Sequence, residues 1–490
     1  MFERLTNRWH AQGGYRELLV VALPLIVSTS TTSVQLFMDA MFLSWHNDDA
    51  LAAVVPASML NFTTMALVLF TVGYVSTFVA QYLGAGRLER IGLATWQGVF
   101  VSLAAGVVYL GFVPFAYGVM RWIASGHTET VAHMEGVYFS RLFYGAWAMF
   151  VMHALSGFFS GQGKTVIVML VSLAVMACNV VLNYLWIFGH WIFPEWGIAG
   201  AAWATNVSHM VGCGLYLALF LRRRYRQRYG TVSGFRIDWP LAGRLIWFGG
   251  PNGLHVFMDV LAFGLFMVLM GNVGEAQGQA SALAFRVNSL AFMPMIGIGI
   301  AVTVLAGRYL TSDRTDRAET VTWSGLHLCT AYMVTIAVLY VVVPELFVDL
   351  FKTEPRARAF ALNLLRFVAL YSVVDSGNIV FSSALRGAGD TRFVALMAMT
   401  LAWCMMLLPA YLVVHYQEAV ASWLETAELP TMDPLYLAWT FATLYVMVLA
   451  VGFWLRFRTG RWKHMRVIEW ETPPSMVPTA EAPVTDLPPD

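Results

Sequence analysis

Apolar stretches of about 20 residues or more, each long enough at 1.5 Å per residue to cross a hydrocarbon core about 30 Å thick, recur along the whole chain. They fall near residues 17–45, 51–82, 93–118, 137–160, 164–188, 197–221, 245–270, 279–309, 321–345, 359–384, 391–416 and 434–457, which makes twelve. A chain built this way has lipid for its solvent. In lipid every backbone N–H and C=O must be satisfied within the segment, so the runs are expected to be helices. Composition agrees, with 58% of residues hydrophobic and 12% charged, about half the charged fraction of an ordinary soluble domain.

Charge placement gives the orientation. If the N-terminus is inside, the segments on that side hold 23 Lys and Arg and the opposite loops hold four, Arg121, Lys352, Arg356 and Arg358. Three more, Arg141, Arg286 and Arg366, lie within spans. The positive-inside rule then places both termini in the cytoplasm, and the run RRRYRQRYG at 222–230 reads as a topological anchor. A net charge of +1 offers no field that would gather nucleic acid. Cys178, Cys213, Cys329 and Cys404 sit in apolar runs without metal-like spacing and read as small packing residues. Beyond residue 470 the tail is Pro-rich and aperiodic, and the segment 458–490 is expected to be a disordered cytoplasmic tail.

The chain is internally duplicated. A shift of 227 residues carries Tyr82, Leu83, Arg87, Arg90, Thr95, Trp96 and Gly98 onto Tyr309, Leu310, Arg314, Arg317, Thr322, Trp323 and Gly325. A shift of 226 carries Ser156, Gly161, Gly163 and Thr165 onto Ser382, Gly387, Gly389 and Thr391. Six spans per copy is an even number, so both copies keep one orientation and are related by an axis along the membrane normal. The expected fold is an all-α integral membrane protein of twelve transmembrane helices in two pseudo-symmetric six-helix lobes. Its parts are an N-terminal segment 1–16, an N-lobe 17–221, a basic inter-lobe loop 222–244, a C-lobe 245–457 and the tail 458–490. Two like lobes facing each other are the usual frame for alternating access.

Asp39, Asp259 and Asp375 are the only acidic residues well inside any span. Each costs about 2.5–3.5 kcal/mol on insertion scales, which asks for a function. Asn179 and Asn183, spaced i, i+4, share one helix face and fall with Asp39 and Thr205 in one outer layer, offering amide and hydroxyl oxygens beside a carboxylate. Asp259 and Asp375 fall near the midplane, and His255 lies one turn from Asp259, placed to relay a proton. No G-x-x-x-x-G-K-[ST] loop, H-E-x-x-H or G-x-S-x-G motif is present, so the energy source is expected to be an ion gradient and the protein is not expected to be an enzyme.

Pro24 followed by VQLFMDAMFLSW, QYLGAGRLER at 81–90, NVVLNYLWIFG at 179–189, GIAGAAWAT at 197–205, GGPNGLHVFMDV at 249–260 and VVDSGNIVFSSALRGAGDT at 373–391 stand out as motifs. Taken together they resemble the multidrug and toxic compound extrusion (MATE) family, in particular its NorM-type branch. The resemblance implies a V-shaped pair of lobes that exports hydrophobic, often cationic compounds in exchange for H⁺ or Na⁺. On the family pattern Asp39, Asn179, Asn183 and Thr205 form an N-lobe cation site, and Asp259 with Asp375 a C-lobe acidic pair. One departure is Asp259, where NorM-type sequences commonly carry Glu. Arg286 is expected to put a buried positive charge in the eighth span, which could pair with an acidic residue and reduce the negative character of the cavity.

The reading is therefore an ion-coupled multidrug efflux antiporter of the cell inner membrane, driven by H⁺ in preference to Na⁺. It needs no cofactor and works as a monomer on small hydrophobic or cationic molecules. A flippase of lipid-linked saccharide is the alternative, and an integral membrane enzyme a more distant one.

Overall fold

The computed structural model describes residues 8–351, 354–416 and 433–469, and these are helical with no strand among them. Arg4, Lys352 and the tail beyond 469 lie outside the described residues. Among the described residues twelve long helices are found: α1 Tyr15–His46, α2 Asp48–Gly73 continued by Val75–Gly84, α3 Leu88–Ile123, α4 Glu129–Gly161, α5 Thr165–Phe188 and α6 Gly197–Phe220, then α7 Trp239–Val273, α8 Glu275–Thr311, α9 Thr315–Val342, α10 Pro355–Ala388, α11 Thr391–His415 and α12 Pro434–Arg458. Eleven are long and apolar enough to span a membrane alone, and α6, which bends by 65° into the short helix Arg223–Tyr229, makes the twelfth. Large apolar side chains on α3, among them Val107, Phe115 and Trp122, are more than half exposed, which lipid favours and water would not.

Local chemistry sets the helix ends. Thr128 caps α4 by accepting from Val131 N–H, and Asp238 caps α7 by accepting from Leu241 N–H. That cap, with Pro240 in the first turn, starts α7 at Trp239, six residues before the apolar run suggests, so the inter-lobe loop is shorter than 222–244 and contains a helix of its own. In α11 the residues Ala402–Leu407 widen into a π-helix just before Pro409, whose missing N–H leaves the preceding ladder one donor short.

The duplication appears in the packing. In the first half α1 lies on α5, α2 and α3 on α4, and α4 on α6; in the second, α7 lies on α11, α8 and α9 on α10, and α10 on α12. The lobes meet along α2 with α7 and α1 with α8. Missing side chains make this seam close: a Cβ on Gly253 of α7 would stand 2.1 Å from the Leu67 carbonyl oxygen of α2, and one on Gly297 of α8 would stand 2.6 Å from Ile26 of α1.

Hydrogen bonds between the lobes cluster at the end that holds the basic loops. Tyr74 Oη donates to the Arg386 carbonyl (2.5 Å), Gln81 Nε2 to the Gly387 carbonyl (2.8 Å), Thr311 Oγ1 to the Gln81 carbonyl (2.8 Å) and Tyr309 Oη to Glu17 (2.7 Å). Toward the other end, among the described residues, none is found beyond Thr29 with Met293 and Asn252 with Phe70. The lobes are tied together at the basic-loop end.

The first part of the tail is folded, against expectation. Trp462 is buried in a short 3-10 turn, Val467 N–H donates to Gln81 Oε1 (2.8 Å), Arg244 Nε donates to the Val467 carbonyl (3.0 Å) and Tyr82 Oη donates to the Glu469 carboxylate (2.7 Å). The segment 461–469 thus runs as a strap from the end of α12 onto both lobes. Aperiodic sequence hid it, because its anchors are backbone groups and polar side chains of other elements.

Candidate functional site

In the N-lobe the four candidate residues come together. Asn183 of α5 donates its side-chain amide both to the Asp39 carboxylate of α1 and to Asn179 Oδ1 (3.1 Å); Asn179 Nδ2 donates to Thr205 Oγ1 of α6 (3.3 Å). Asp39 is 4% exposed and Asn179 and Asn183 are fully buried. The i, i+4 spacing on α5 aims both amides at the same gap between α1 and α6. Asp39 has no cationic partner among the described residues, and Asn183 Oδ1 is buried without a hydrogen-bond partner. A carboxylate in such surroundings must bind a proton or a cation, or bear a large desolvation cost.

The C-lobe candidates form a second cluster. His255 Nε2 lies 3.0 Å from Asp259 Oδ2, one turn apart on α7, and Asn378 Nδ2 donates to Asp375 Oδ1 (2.9 Å) one turn on along α10. Asp259 is close enough for its charge to act on Asp375, and Tyr445 of α12 feels both. Among the described residues, His255 Nδ1 and Asp259 Oδ1 are buried without partners. These are open donor and acceptor positions in the middle of the lobe.

Three polar features escaped the sequence reading. By sequence position Arg386 belongs to an inside loop, yet its guanidinium lies within the C-lobe, where Nη2 donates to Ser382 Oγ (3.1 Å), Nε has no partner among the described residues and the charge reaches Asp259. Its position at i+11 from Asp375, three helical turns along the same face, was the available signal. Glu135 is fully buried near the start of α4, 3.0 Å from His127 Nδ1. Asp390 is buried against Arg456 (2.7 Å). Arg286 is the reverse case: it is exposed, where the sequence placed a buried charge, and it makes no ion pair among the described residues. It lies eleven residues before Gly297, on the α8 stripe that faces α1.

Among the described residues, up to twelve membrane-spanning helices in two repeated lobes joined at one end, with buried carboxylates in each lobe, are the features of a polytopic membrane transporter. The chain belongs to the MatE family, whose model matches residues 24–185 and again 251–412, once per lobe. It is 26% identical to "Probable multidrug resistance protein NorM" of Shewanella oneidensis over 77% of this chain and 82% of that one. It is also 26% identical to "Multidrug resistance protein PmpM" of Pseudomonas aeruginosa over 79% of this chain and 81% of that one. Among solved structures it resembles a MOP superfamily transporter from Pyrococcus furiosus, with a TM-score of 0.81 at 19% identity, covering 93% of this chain and 98% of that one. The protein is accordingly a transporter of the MATE multidrug efflux family and an integral membrane protein, not an enzyme.

Proposed function

We propose that this chain, acting as a monomer in a bacterial inner membrane with both termini in the cytoplasm, exports amphipathic, cationic drug-like molecules in exchange for protons. The observation that carries this reading is Asp39, buried with one amide donor and no fixed positive charge beside it among the described residues. Such a group is stable when protonated and costly when bare, so its proton is exchangeable. The Asp39–Asn183–Asn179–Thr205 chain, the His255–Asp259–Asp375 cluster and the cleft between the lobes then supply two loading sites and a path for cargo.

Protons are favoured over sodium by the donor chemistry. A sodium ion asks for several oxygens converging on one point, whereas Asn183 turns N–H toward both Asp39 and Asn179. Asp259 has an imidazole for its nearest polar neighbour, and imidazole suits proton traffic but is a poor sodium ligand. The three carboxylates also speak against a pyrophosphate-linked saccharide as cargo. Hydrogen bonds between the lobes at the basic-loop end, with those loops inside, support a form joined on its cytoplasmic side.

The reading is tested with the purified protein in proteoliposomes under separately imposed proton and sodium gradients. Acidifying the outside should speed ethidium efflux, and adding drug should release protons, as reciprocal coupling requires. No proton release, together with full exchange on sodium alone at fixed pH, overturns it.

A further inference from the structure

At the basic-loop end, where the lobes meet, a cavity of about 370 Å³ is built from both of them. The N-lobe contributes Arg16 and Val20 from the first turns of α1 and the backbone of Gly161–Gly163 at the α4–α5 turn; the C-lobe contributes Arg308 from the end of α8. Arg16 and Arg308 are both exposed, and neither has an ion pair among the described residues. The acid that lines the same cavity, Glu17, is already engaged, accepting from Gly13 N–H (2.7 Å) and from Tyr309 Oη (2.7 and 2.9 Å).

More positive charge stands beyond the lining, behind the Gly161–Gly163 turn. Lys164, next to Gly163, sits 4.3 Å over the Tyr225 ring, and burial, with the charges of Arg224 and Arg228 alongside, pushes its ammonium down to about 8. Arg308, Arg224 and Arg228 all act on Tyr229, which ties this group to the cavity. Two arginines therefore line the lobe junction, Lys164 and Arg228 lie beside it at Tyr225 and Tyr229, and among the described residues the one lining carboxylate is already bound. A basic cluster between helices at the membrane surface is the chemistry of an anionic headgroup site.

The apolar side of the cavity indicates what the anion is attached to. From Val20, which lines it, Leu23 and Val27 continue along α1 at helical spacing, and these three are 62%, 55% and 41% exposed. They make an open apolar track running from the cavity toward the membrane interior. A free phosphate would use the arginines and leave this track bare. We propose that an anionic glycerophospholipid binds here, its phosphate between Arg16 of one lobe and Arg308 of the other and an acyl chain along Val20, Leu23 and Val27. Bound so, it screens two like charges that closure brings together and holds the lobes shut at this end.

The test is thermal unfolding of the full-length protein in neutral detergent with dioleoylphosphatidylglycerol, dioleoylphosphatidylcholine, glycerol phosphate or inorganic phosphate added. The phosphatidylglycerol should raise the midpoint well above the phosphatidylcholine, and neither soluble anion should reproduce the rise. Arg16→Gln with Arg308→Gln should lose most of the increment, whereas Arg222→Gln with Arg223→Gln, which removes the same charge from the neighbouring helix, should keep it. Val20→Asn with Leu23→Asn, which spares both arginines, should weaken it. An increment undiminished in the Arg16/Arg308 variant, one lost equally in the Arg222/Arg223 control, or one matched by phosphate alone overturns the proposal.

Discussion

Asn183, in the second half of α5, donates its side-chain amide directly to Asp39 of α1, two residues 144 positions apart in sequence and buried together. The bond ties the Asp39 carboxylate of α1 to α5. Asp39→Asn keeps the shape and removes the exchangeable proton, so the variant should fold and insert normally while losing drug efflux. Ethidium retention in cells matched for expression checks this, and wild-type efflux from the variant would sink the assignment of Asp39.

His255 and Asp259 should act as one unit, since the ring nitrogen and the carboxylate oxygen are 3.0 Å apart. Asp259→Asn and His255→Ala should each weaken the linkage between drug binding and proton release by about 5- to 150-fold, the span of ordinary coupling free energies. The double variant should be little worse than either alone. Proton release on drug addition, followed with a pH dye on purified protein, measures all three; fully additive losses would show independent residues.

The α2–α7 seam depends on Gly253, where a Cβ would lie 2.1 Å from the Leu67 carbonyl oxygen. Gly253→Val should cost the closed form about 1–3 kcal/mol through overpacking and backbone displacement. Thermal midpoint should fall, and thiol labelling of a cysteine placed at Thr71 should rise. Unchanged labelling would show that the seam does not set closure.

Gln81 holds Gly387 of the other lobe with its amide hydrogen and Val467 of the strap with its amide oxygen, all in buried surroundings. Gln81→Leu leaves a buried carbonyl and a buried N–H without partners, at about 1–3 kcal/mol each. A lower unfolding midpoint, with trypsin cleaving at Lys463 more readily, is the expected result.

The orientation is tested at Ser233, which is exposed in the loop before α7. With the exposed Cys404 replaced by Ala, Ser233→Cys should react with impermeant maleimide in inside-out vesicles and stay unlabelled in intact cells.

What the sequence disclosed and what it hid divide along one physical line. Polar residues inside apolar helices stand out because they are expensive there, and Asp39, Asn179, Asn183 and Thr205, drawn from three helices, assemble into one chain of hydrogen bonds. The repeat placed α1–α6 and α7–α12 because duplication preserves spacing. Glu135, Asp390 and Arg386 were overlooked since they lie near helix ends, where a charge ordinarily reaches water, and only packing shows that these are buried or enclosed. The strap was overlooked because a segment held through its main chain leaves no residue pattern to read.

That manner of holding has a mechanical result. Val467 is gripped by its N–H from one lobe and by its carbonyl from the other. Replacing its side chain leaves both grips in place, whereas adding or deleting a single residue between Arg458 and Val467 would turn them out of reach. The strap thus meters length: it sets how far the end of α12 can travel from Gln81 before the lobes must part.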